Sequence, residues 1–84
     1  MSDPYAEAID ALTEVATLCA EAKLVFASRV IAYRAHQLRN DGLEATADML
    51  SELVEAATGD ERAAFEMAYD SLQRIITRGI GAVT

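Results

Sequence analysis

Eighty-four residues allow one domain with a small core, and a single cysteine excludes an internal disulfide or a cysteine-paired metal site. A formal net charge of −7 disfavours docking onto nucleic acid or anionic lipid through the general surface, because the long-range field repels phosphates. With 52% hydrophobic residues, much of that alanine, and only four Gly and one Pro, almost nothing breaks a helix, so an all-α chain is expected.

In chain order, Asp3 followed by Pro4 predicts a helix start: an acceptor side chain at the cap, and a proline at the first helical position, where its missing N–H costs nothing. No stop signal follows until Asn40-Asp41-Gly42, so the first helix is expected over residues 4–40, about 54 Å at the α-helical rise. Its apolar residues Tyr5, Ile9, Leu12, Ala16, Cys19, Phe26, Val30 and Tyr33 keep alternating steps of four and three, with one defect, Lys23. After Lys23 a second stripe appears, formed by Leu24, Ala27, Ile31, Ala35 and Leu38. The second half of this helix therefore needs two neighbours, and the first half has fewer partners in cis.

Asp41 and Glu44 have the spacing of a capping box and open a second helix over residues 42–57. Thr58 and Glu61 repeat that spacing before a third, residues 60–78, which ends at Arg78-Gly79. Residues 80–84 are expected to be a frayed tail, and residues 1–84 to form a single helical domain. The expected architecture is a three-helix antiparallel bundle. Its seam Tyr5, Ile9, Leu12, Ala16, Cys19 and Phe26 is left for a second copy, so a homodimer is favoured.

The charges come in blocks. Residues 1–22 hold five acids and no base, residues 23–39 four bases and no acid, and residues 40–61 seven acids and no base. Such a pattern predicts that the basic stretch is neutralised by the chain's own carboxylates or those of its twin. Lys23, Arg29, Arg34 and Arg39 point in several directions on a helical wheel, which does not make a groove-tracking nucleic-acid surface.

His36, the one histidine, has no nucleophile or carboxylate placed beside it in sequence. Cys19 lies on the apolar seam, where a thiol behaves as a small hydrophobe. No Glu-x-x-His pair, phosphate loop or nucleophile motif occurs. The expectation is a protein without catalytic residues, metal or cofactor. Its acidic N-terminal stretch is not a signal peptide, and no apolar run reaches the ~18 residues of a membrane span, so a cytoplasmic location without membrane contact is expected.

Two function classes follow. In the first, the carboxylate rows Glu7, Asp10, Glu14, Glu21 and Glu44, Asp48, Glu52, Glu55 occupy a basic, nucleic-acid-handling surface of a protein partner, as an inhibitor would. Phage-encoded antagonists of CRISPR or restriction systems are the physical analogy. In the second, the chain is a structural or regulatory homo-oligomer or adaptor that works through the apolar seam of the first helix.

Overall fold

A computed structural model describes the backbone of residues 3–83 and the side chains of residues 3–78. Four helices follow in order: α1 Pro4–Glu21, α2 Val25–Asp41, α3 Leu43–Ala56 and α4 Gly59–Val83. The all-α class stands. The count of three does not, because the expected long helix is broken at Ala22–Leu24.

The break is a C-terminal cap of the Schellman type. Lys23 has φ +67°, its N–H donates to the Ala20 carbonyl (3.0 Å), and the Leu24 N–H reaches back to the Cys19 carbonyl (2.8 Å). These bonds satisfy carbonyls that a continuing helix would have served. Leu24 packs against the core that contains Cys19, the apolar contact that usually accompanies this motif. The position is one at which glycine is the usual residue, and here it is lysine.

The turn folds α2 back along α1, and each packs chiefly on the other. The Ser28 hydroxyl donates to the Ala16 carbonyl (2.9 Å) across this hairpin. At its open end, Asp3 caps α1 by accepting from the Tyr5 N–H (2.9 Å), with Pro4 at the first helical position as expected. Arg39, in the last turn of α2, donates to Asp3 (3.0 Å) and lies over the Tyr5 ring, 5.9 Å from its centre. A carboxylate at a helix start and a guanidinium at a helix end both oppose the local dipole favourably.

The Arg39 bond, joined by the backbone N–H donors of Tyr5 and Ala6, holds the Asp3 carboxyl below its ordinary range. A group depressed in the folded state stabilises above its unfolded pKa, and that contribution is lost as pH falls through the folded value. Asp3→Asn is expected to keep the cap, since asparagine caps as well as aspartate, while losing the ion pair with Arg39, so that stability at neutral pH falls slightly and its acid-side dependence disappears. Asp3→Ala should lower the melting temperature further. Equal melting curves for the two variants across an acid titration would contradict this account.

Gly42 ends α2 and starts α3 in one residue, with φ +94° and ψ +161°, a conformation only glycine adopts readily. Because α3 begins so soon, Asp41 is still inside α2, and the expected capping box with Glu44 is not formed: no side chain caps α3. The Asp41 carboxylate accepts instead from Arg34 (3.4 Å) and Asn40 (3.3 Å). The Thr46 hydroxyl, fully buried, donates to the Gly42 carbonyl (2.8 Å).

α4 packs on both α3 and α1, so the chain forms two hairpins closed on each other through α1 and α4. α4 passes the expected stop at Arg78-Gly79 and is helical to Val83, so the tail expected from Ile80 is helical backbone to that point; Thr84 lies outside the described residues. Seven of the sixteen buried hydrophobic residues are alanines, which lets the helix axes approach closely. Phe65, Leu12, Ile31, Leu38, Leu50 and Leu72 are therefore the few large anchors.

Candidate protein-binding surfaces

Two of the four bases in the basic stretch are engaged internally, by other partners than the sequence suggests. Arg34 pairs with Asp41 of its own helix and also meets the Met49 sulfur on α3; Arg39 pairs with Asp3. Among the described residues none of Glu44, Asp48, Glu52 and Glu55 takes part in an ion pair, because α2 packs chiefly on α1 and only lightly on α3. The acidic and basic halves of the expected long helix do lie side by side, but within one chain. Among the described residues Lys23 and Arg29 have no carboxylate partner.

The α3 carboxylates form one exposed row. Their spacing places all four within an arc of roughly 80° along about 17 Å of helix. α3 contains no base at all. Glu44 to Asp48 and Asp48 to Glu52 are like charges four residues apart, Glu52 to Glu55 three apart, each unfavourable by about 0.2–0.5 kcal/mol. Glu55 lies in the last turn and Glu52 directly before it, where the helix dipole opposes negative charge. Among the described residues no base pairs with this row, although Arg34 shares a surface hollow with Glu52.

The first-helix row is split. Glu7 is half-buried and pairs with Arg78 of α4, while Asp10, Glu14 and Glu21 are exposed and unpaired. α1 and α3 both pack on α4 and have no substantial contact with each other, so the two rows form separate surfaces rather than one.

The expected dimer seam is largely used up in cis. Leu12, Ala16 and Cys19 are buried in the chain's own core and Ile9 is half-buried. Tyr5 is covered in part by Arg39, and Phe26 is 59% exposed, edge-on to Phe65 with ring centres 6.4 Å apart. The apolar face that called for a second copy in sequence is covered by α2 and α4.

What the sequence did not single out is a groove between the C-terminal half of α1 and the N-terminal half of α4, with a volume of about 430 Å³. Its signal was available in Leu18 and Met67, large apolar residues outside the core frame of their helices. Each is 48% exposed.

His36 is exposed on α2 and makes no side-chain hydrogen bond among the described residues. Burial pushes the Cys19 thiol above its ordinary value, away from the thiolate that a nucleophile needs. Among the described residues no three metal-ligating side chains converge, and no helix is long and apolar enough to cross a membrane. No known family matches this sequence, and no curated protein or solved structure proves similar to it.

Proposed function

We propose that this is a non-enzymatic interaction protein of the cytoplasm that uses the α3 carboxylates to occupy a basic, nucleic-acid-handling surface of a partner protein. It would act as an inhibitor does, in the physical manner of phage-encoded antagonists of CRISPR or restriction systems. The observation that supports this is the row Glu44, Asp48, Glu52, Glu55: four exposed carboxylates on one rigid helix, without a pairing base among the described residues and partly against the helix dipole. A partner's lysines and arginines would supply the missing charge, and electrostatic complementarity of this kind sets orientation and association rate.

The alternative, an oligomer working through the apolar seam of the first helix, has less to stand on, since Leu12, Ala16 and Cys19 are consumed in the core.

The test compares the native protein with a variant carrying Lys at positions 44, 48, 52 and 55. Proteins retained from a bacterial lysate are identified, and their DNA or RNA binding is measured with each form added. The native form should displace nucleic acid from a retained protein and the variant should not. Equal displacement by both would remove the reading.

A milder variant separates binding from folding. Asp48→Gln, Glu52→Gln and Glu55→Gln together should raise stability by about 1 kcal/mol, from relieved repulsion and dipole conflict, while weakening the partner. Urea denaturation showing no gain would mean that the row is not under strain in the free protein.

A further inference from the structure

We infer that the groove between α1 and α4 is a docking site for a basic amphipathic helix of a partner protein. Val15, Cys19 and Ala64 form its floor, and Leu18 and Met67 stand half-exposed on either side. The stretch from Val15 to Ala22 on α1 lies against the stretch from Asp60 to Met67 on α4. Each spans eight residues, counting Ala22 that caps α1, so their seven steps carry the groove about 10 Å along the helix axes. That length suits an occupant presenting apolar side chains at i, i+3 or i+4, and i+7, the spacing of a helix laid in a groove.

The rim selects the charge of that occupant. Glu14 and Glu21 lie four residues before and three after Leu18, on the same flank of α1. Asp60 lines the groove itself and Asp70 lies three residues beyond Met67. All four are exposed and none has an ion-pair partner among the described residues. Two bases are near: Lys23 in the turn, and Arg74 one turn past Asp70, which bonds Ser71.

An apolar trough lined by Asp60, with Glu14 and Glu21 beside Leu18 and Asp70 beyond its end, accepts a helix with an apolar stripe and basic flanks, and opposes an acidic one. A second copy of this chain, at −7, would bring further negative charge to the same rim. The groove is distinct from the α3 row, so the inference adds a second contact to the proposed reading and stands or falls separately from it.

The chain contains no tryptophan, so a synthetic helical peptide carrying one reports binding by its fluorescence. The probe has leucines at i, i+3 and i+7, the tryptophan at i+4 and lysines elsewhere; comparators are the same residues scrambled and a version with glutamates in place of the lysines. The leucine/lysine helix should bind, and the other two should not. Leu18→Ser with Met67→Ser should weaken it by about tenfold or more, as loss of central apolar contacts does. The α3 glutamine variant should bind it as the native protein does.

Should the serine pair fail to fold by circular dichroism, Glu21→Lys with Asp60→Lys keeps the trough and must weaken binding and its salt dependence. Equal affinity for the scrambled peptide, or unchanged binding in a folded groove or rim variant, overturns the inference. So would sedimentation showing a native dimer that the serine pair dissociates, since the occupant would then be a second copy.

Discussion

Phe65→Ala is expected to bring the protein to the edge of unfolding at room temperature. Phe65 is fully buried in the N-terminal part of α4, in a core where nearly half of the buried hydrophobic residues are alanines. Alanines cannot expand to fill the space a phenyl ring leaves. The loss should therefore fall at the unrelaxed end of the large-to-small range, about 3–5 kcal/mol. A domain of this length has a total stability of roughly 4–13 kcal/mol at ordinary per-residue values. Urea denaturation followed by circular dichroism should show a midpoint shifted far down, or no folded baseline. Phe26→Ala, which removes the exposed edge-on partner, should cost no more than about 1 kcal/mol. Comparable losses for the two would mean that Phe65 is not the anchor its burial indicates.

The second expected result has a sign that discriminates between two conformations of the chain. At φ +67°, a non-glycine residue carries roughly 1–2 kcal/mol of strain, and glycine carries none. Offset by the greater freedom of glycine when unfolded, Lys23→Gly should stabilise by about 0.5–1 kcal/mol. Lys23→Ile should destabilise by about 1–2 kcal/mol, because a β-branched side chain fits this region worst. In a straight helix the glycine result reverses, since an interior glycine costs up to about 1 kcal/mol relative to a good helix former. A lower urea midpoint for Lys23→Gly, at unchanged slope, would therefore refute the turn.

That turn is also where legibility in the sequence ends. Helical class, the Asp3-Pro4 start, the stop at Gly42 and the restart near Gly59 were readable because each rests on local chemistry: a cap, a fixed φ, a left-handed glycine. The break at Lys23 has no such marker. Lysine is a good helix former, and the four-three periodicity resumes after it, so local rules favour a straight rod. The energy that overrides them is tertiary: folding back buries Leu12, Ala16 and Cys19 against the chain's own α2 and α4. The only trace is that Lys23 is the defect in the apolar frame.

The charge blocks were legible as self-complementary but not as to partner. Arg39 reaches Asp3 rather than the α3 carboxylates because of a hairpin that the rod reading did not contain. On the surfaces, the α3 row stood out by spacing alone. The groove did not, because Leu18 and Met67 are ordinary exposed apolar residues until α1 and α4 are set antiparallel.

The left-handed residue has a last consequence, for concentrated samples. Were Lys23 to turn right-handed, α1 and α2 would straighten into the rod that the periodicity favours, and α1 would swing out of its own bundle. The vacated berth would then suit the identical segment of another molecule, side chain for side chain. Reciprocal trading of α1 would then be open to two molecules, and the left-handed turn at Lys23 stands against it.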